Sequence, residues 1–161
     1  NDINSSEYLH KILGVEFSPV PAFDIEVELD LQQTISTLIK NKSIVSAHDI
    51  SEGGLFVTLV ESAFNRSLGF AVETDAAYRK DAFLFGEAQS RVVVTVSADK
   101  AAAFELSMAG KAFSKLGTVT AGSISVDGED WGTIAAWQEK YDTAIENLLA
   151  GHESEHALIS L

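Results

Sequence analysis

The sequence predicts an α+β fold in layers, a mixed β-sheet covered by helices, and three observations carry that expectation. Apolar runs of strand length alternate with runs of helical period along most of the chain. Glycine and Asp-Gly signals fall between them, where turns belong. The 161 residues are 46% hydrophobic and 22% charged, which suits one globular domain with a sizeable core.

Residues 1–23 read as a lead-in segment. A short helix is expected over Ser5–Leu13, while Pro19 and Pro21 keep the next stretch extended, because a proline ring fixes φ and disfavours helix in the residue before it. The domain proper is expected over 24–150. Asp30 is the expected cap of a first helix whose Leu31, Ile35, Leu38 and Ile39 share a face. Ser43–Ala47 reads as a buried strand and Leu55–Phe64 as a mostly apolar helix. Leu68–Glu73 and Arg91–Ser97 follow as strands, and Val92-Val93-Val94 has the composition of a central one. Asp99 is expected to cap a third helix that buries Phe104, Met108 and Phe113. Strand signals over Thr118–Val126 are broken at Gly122, and Asp127-Gly128 marks a turn. A last helix near Thr133–Ala150 aligns Ile134, Trp137, Tyr141, Ile145 and Leu148, a stripe expected to pack in the core. Gly151 reads as its stop and 151–161 as a flexible tail.

The formal net charge of −13 argues against nucleic acid or an anionic membrane as partner. A nucleotide stays open, because one bound cation or helix terminus dominates locally once salt screens distant charge. With no cysteine, disulfides and thiol chemistry are excluded, and His and carboxylates are the metal ligands available. No apolar run approaches the roughly 20 residues of a membrane span and no signal peptide is visible, so a cytoplasmic location is expected.

Chemistry concentrates at Ala47-His48-Asp49-Ile50-Ser51-Glu52-Gly53-Gly54-Leu55, where a strand gives way to a helix. Gly53 and Gly54 let a backbone come close to a ligand, and the first-turn amides with the helix dipole favour an anion. Asp49 or Glu52 is then placed to hold a divalent cation shared with that anion. The plainer alternative is that Asp49 or Ser51 caps the helix. His48, on the opposite side of an extended segment, is expected to be packed or hydrogen-bonded rather than catalytic. Glu87, Gln89 and Ser90, just before a strand, form a second candidate element for binding substrate, with a structural Glu87–Arg91 ion pair as the alternative. His152-Glu153-Ser154-Glu155-His156 matches the H-E-x-x-H zinc pattern, but its place after Gly151 favours a solvated tail.

The run from His48 to Leu55 resembles the signature of the C-terminal domain type of the aminoimidazole ribonucleotide (AIR) synthetase superfamily. Within it, the wording is most similar to the formylglycinamide ribonucleotide amidotransferases, or phosphoribosylformylglycinamidine synthases. Ser5-Ser6-Glu7-Tyr8-Leu9, Phe85-Gly86-Glu87-Ala88-Gln89-Ser90-Arg91 and Trp137 to Leu149 agree with that family in order. The Ser-Glu-Gly-Gly form resembles the second of the family's two copies of this domain.

The resemblance implies an ATP-dependent carbon–nitrogen ligase of purine biosynthesis, with ATP or ADP and Mg2+ as cofactors. It assigns Asp49 to magnesium and Ser51, Gly53 and Gly54 to the nucleotide phosphates of an auxiliary site, and it assigns no catalytic residue to this chain. It further implies a piece of a longer enzyme, inactive alone, which fits residue 1 being Asn and Met108 being the sole methionine. The implied partners are the remaining domains of the same synthetase polypeptide, with glutaminase and small accessory subunits if the enzyme is the short form. Self-association through the face those domains would cover is a further expectation. Ala88 departs from the family's serine after the glutamate, which weakens a direct substrate role for Glu87, Gln89 and Ser90.

Overall fold

Six strands form two sheets in the computed structural model, which describes residues 2–159, with side chains over 2–150. The strands are β1 (Ser46–Asp49), β2 (Gly69–Val72), β3 (Val92–Thr95), β4 (Gly117–Thr120), β5 (Ser123–Val126) and β6 (Glu129–Thr133). The helices are α1 (Ile25–Lys40), α2 (Gly54–Phe64), α3 (Lys80–Phe85), α4 (Ala101–Ser107) and α5 (Ile134–Ile159). A π-helical turn, Tyr8–Ile12, occupies part of the stretch expected to be helical near the start.

The larger sheet has the order β4-β2-β5-β6 and is mixed, as expected: β2 runs parallel to β5 and antiparallel to β4, and β5 runs antiparallel to β6. β1 and β3 make a separate antiparallel pair. The core lies between the larger sheet and α2. Leu55, Phe56, Val60 and Ala63 of α2 meet Phe70 and Val72 of β2, Ile124 and Val126 of β5, and Phe83 and Leu84 of α3. Ile124 and Val126 are fully buried, so the central strands are β2 and β5. The Val92–Val94 run is not central. It is half-buried on the two-stranded pair, because a ribbon of two strands has too little area to cover both faces.

Several boundaries differ from expectation. α1 begins earlier, capped by Asp24, whose carboxylate accepts from the amides of Glu26 (2.9 Å) and Val27 (3.3 Å). Asp30 lies inside that helix and pairs with Lys111. Asp99 sits within a short 3-10 turn that follows Ser97, and α4 ends before Phe113, which is exposed and meets Phe104 edge-on at 6.0 Å. Met108 is buried as expected.

The stripe on α5 packs over its first half alone. Ile134 is buried, Trp137 donates its indole N–H to the Trp131 carbonyl (2.9 Å), and Tyr141 meets Phe64 at 5.2 Å. Ile145 and Leu148 are exposed. The reason is length: α5 has 26 residues and α2, on which it packs, has 11. At about 1.5 Å per residue the longer helix outruns its support. α5 also continues through Gly151, where a stop was expected. The side chains of residues 151–161, among them His152, Glu153 and His156, lie outside the described residues. No helix of the described residues is long and apolar enough to cross a membrane.

The β5–β6 hairpin turns on Asp127 and Gly128, whose φ values of +52° and +75° suit a two-residue turn matched to strand twist. The Asp127 carboxylate accepts from the Thr74 amide (2.6 Å) and hydroxyl, and pairs with Lys80 (3.0 Å). The Thr74 amide first, then Lys80, hold its pKa below the ordinary carboxylate value. A depressed folded-state pKa contributes stability above the unfolded value of about 3.9 and loses it as pH falls through the folded one. Asp127→Asn, which tolerates the same φ, is therefore expected to flatten the stability curve below about pH 4. Urea denaturation at pH 7 and pH 3 checks this; equal acid losses in both proteins would contradict it.

Candidate functional site

The turn between β1 and α2 is built by strand pairing on one side and close packing on the other. β1 ends at Asp49, opposite Val92 of β3, and the Ile50 amide donates to the Arg91 carbonyl (3.0 Å). Gly53 and Gly54 both have left-handed φ, +81° and +70°. Two such residues in succession are open to glycine at little cost, and they swing the chain into α2. The Gly54 amide donates to the Ser51 carbonyl (3.0 Å) and closes the turn.

Neither Asp49 nor Ser51 caps the helix. The N-cap of α2 is Gly53, with no side-chain cap. The Asp49 side chain is 80% exposed and Ser51 is exposed as well. Thr58, buried on α2, donates its hydroxyl to the carbonyl of Gly54 (3.0 Å), so the inner side of the turn is satisfied by the protein itself. His48 has Nδ1 2.7 Å from the Asp49 carbonyl and Nε2 3.9 Å from Glu61 of α2. It is a half-exposed side chain with one hydrogen-bonding partner, the Asp49 carbonyl, and a more distant carboxylate neighbour in Glu61.

Glu87, Gln89 and Ser90 separate in role. Glu87 Oε1 accepts from the amides of Gly53 (2.9 Å) and Glu7 (3.0 Å). Gln89 is exposed. Ser90, with φ of +61°, donates its hydroxyl to Glu28 of α1 (2.7 Å), and that bond leads the causes holding the Glu28 carboxyl below its ordinary pKa. The Glu87–Arg91 ion pair does not form. Arg91 instead donates Nη1–H to the Gly86 carbonyl (3.0 Å), and burial lowers its pKa. Sequence reasoning missed that the glutamate addresses the same turn as Asp49 and Ser51. Its partners are backbone amides remote in sequence, for which no residue type is a signal.

Among the described residues no group of three or more His, Asp and Glu side chains is arranged to hold a metal ion. Asp49 offers one exposed carboxylate, so a magnesium there requires phosphate oxygens and ligands from outside these residues. That suits a metal shared with a phosphate, since Mg2+ commonly binds through one or two carboxylates plus substrate oxygens.

A family model described as AIR synthase related protein, C-terminal domain, matches residues 3–128. Curated relatives are the phosphoribosylformylglycinamidine synthase subunits PurL of Leuconostoc mesenteroides (48% identical over 99 residues, 62% of this chain and 13% of that one) and Salinibacter ruber (39% over 125 residues, 75% and 17%). That of Deinococcus radiodurans is 38% identical over 129 residues, covering 78% of this chain and 17% of its own. The chain thus spans between 13% and 17% of the length of these relatives. A solved structure described as T. maritima PurL complexed with FGAR matches with a TM-score of 0.63 at 16% identity, over 77% of this chain and 23% of that one, which is a likeness of fold.

Proposed function

The chain belongs to the AIR synthase related protein, C-terminal domain, family, and from that premise we propose that it serves as a domain of an ATP-dependent phosphoribosylformylglycinamidine synthase. The whole enzyme would convert formylglycinamide ribonucleotide to its amidine in purine biosynthesis, in the cytoplasm. Here the domain forms one wall of an auxiliary nucleotide–magnesium site, and the remaining domains of the polypeptide supply the other. In a short-form enzyme, glutaminase and small accessory subunits are the further partners.

One observation carries the site: Asp49 and Ser51 are exposed on a turn of two left-handed glycines opening a buried helix, and neither is used as a cap. Asp49 would hold the magnesium and Ser51 would orient the phosphates, while Gly53 and Gly54, whose amides are bonded to Glu87 and to the Ser51 carbonyl, would shape the turn for their close approach. Bound magnesium supplies charge neutralisation to the phosphates. No residue of this chain is assigned to proton transfer, so the domain alone is expected to be inactive.

A second reading, a domain that keeps the fold and binds nothing, is favoured by one specific contact: the Gly53 amide already donates to Glu87. Calorimetric titration of Mg·ADP into the complete polypeptide, stripped of nucleotide, separates the two. One site is expected to disappear in Asp49→Ala while any other persists. Identical isotherms for the two proteins would leave the domain architectural.

A further inference from the structure

Three separate pieces of the chain meet at Phe85–Glu87. Gly54 of the turn lies so close to this backbone that a methyl group there would stand 2.7 Å from Phe85 Cα and 2.9 Å from the Gly86 carbonyl oxygen. From the lead-in segment, the Asp2 carbonyl approaches Gly86, where a Cβ would meet its oxygen at 2.7 Å. The Tyr8 ring stacks on Phe85 at 4.8 Å, with 5° between the planes. Arg91 braces the junction through the Gly86 carbonyl.

At the centre stands Glu87. One carboxylate oxygen, Oε1, accepts from Gly53 of the turn and Glu7 of the lead-in segment, residues 34 and 80 positions away in sequence. Bonds from backbone amides to a carboxylate are charge-assisted and roughly twice as strong as neutral ones. Neither amide can leave its place without giving up its share of that oxygen. Position and conformation are thereby tied: where residues 2–8 lie fixes Glu87, and Glu87 fixes Gly53, two residues from Ser51.

We propose that Glu87 is a positioning residue for the nucleotide turn, a latch that couples the lead-in segment to the conformation in which Asp49 and Ser51 face a phosphate ligand. The coupling rests on the nucleotide reading of the turn given above. Oε1 of Glu87 is committed to these two donors, so the role assigned to the residue runs through Gly53 and not through a bond from that oxygen to the ligand.

Hydrogen exchange on the complete polypeptide, with and without Mg·ADP, tests this. In the wild type, binding is expected to slow exchange at Gly53 and equally at Glu7. Glu87→Ala is expected to lose protection at both amides together, to weaken Mg·ADP about tenfold, as loss of charge-assisted bonds implies, and to abolish the response of Glu7. Glu87→Gln keeps an acceptor oxygen and is expected to restore most of the affinity and the response. Unchanged or faster exchange at Glu7 on binding, or wild-type affinity in Glu87→Ala, would overturn the latch. If Glu87→Ala does not fold, the wild-type and Glu87→Gln responses decide. Should no form bind Mg·ADP, the nucleotide reading fails by itself. The latch is then judged on the free protein, where joint opening of Gly53 and Glu7 supports it and independent opening refutes it.

Discussion

Gly54→Ala is expected to destabilise the protein by about 2–5 kcal/mol, summing the cost of left-handed φ for a residue with a Cβ and that of overpacking a tight contact. Gly54 is buried with φ of +70°, and its Cβ would come 2.7 Å from both Cα and C of Phe85. Those are backbone atoms at the end of α3, unable to step aside as a side chain would. Relief requires α3 and the turn to part, and parting them pulls Glu87 from Gly53. The control is Gly128→Ala, which has the same kind of φ (+75°) and nothing within 4 Å of the added methyl. It is expected to cost about 1 kcal/mol, the conformational share alone. Urea denaturation of the two variants separates packing from backbone strain. Equal losses would mean that the close approach to Phe85 does not exist in solution.

The same turn shows what was legible in the sequence. Two glycines before an apolar helix signal a sharp backbone turn, and the structure places one there, although the strand expected as buried over Ser43–Ala47 lies at Ser46–Asp49 and is mostly exposed. The Asp127-Gly128 hairpin was equally legible, because few residues adopt its φ values. α1 was harder. Ile25-Glu26-Val27-Glu28-Leu29 alternates apolar and acidic residues with the period of a strand, yet it is helix, since Asp24 caps its first amides and acidic side chains favour a helix start. β6 carries Glu129, Asp130 and Gly132, which have little strand propensity. It exists because the hairpin turn lays it against β5. α3, of six residues, is too short for any periodicity to reveal.

At the site, residue types were legible and their division of labour was not. An aspartate, a serine and two glycines in one turn suggest a phosphate-binding element from composition alone. That neither polar side chain serves as the cap follows from the left-handed Gly53 occupying the N-cap position, which depends on how α3 meets the turn. Glu87 belonged to a separate candidate element in sequence. Tertiary packing merges the two, and only the fold brings Glu7, Gly53 and Glu87 together. The α5 stripe fails for a similar reason: periodicity reports which residues share a face, not how far the opposing layer extends.

Phe56→Ala tests the centre of that packing, with an expected loss of about 3–5 kcal/mol from the transfer free energy of the ring and the cavity left behind. Phe56 is 3% exposed and has the rings of Trp131 (4.9 Å), Trp137 (5.0 Å), Phe70 and Phe85 (both 6.0 Å) around it. These neighbours come from β2, α3, β6 and α5, so no single element can move to fill the space. For a domain of this size the loss corresponds to a melting point lower by roughly 10 °C. The two tryptophans are the chain's only ones, and both touch Phe56, so their fluorescence reports on this cluster. Ile145→Ala, at a position 75% exposed beyond the end of the packed stripe, is expected to change stability by less than about 0.5 kcal/mol. Because Phe85 also carries Gly54 against its backbone and Tyr8 against its ring, the cavity should loosen the junction that Glu87 latches. The expected sign is faster exchange at Glu7 and Gly53 in Phe56→Ala under conditions where the protein is still folded. Intact protection at both amides, despite the loss of stability, would show that the latch stands independently of the aromatic core.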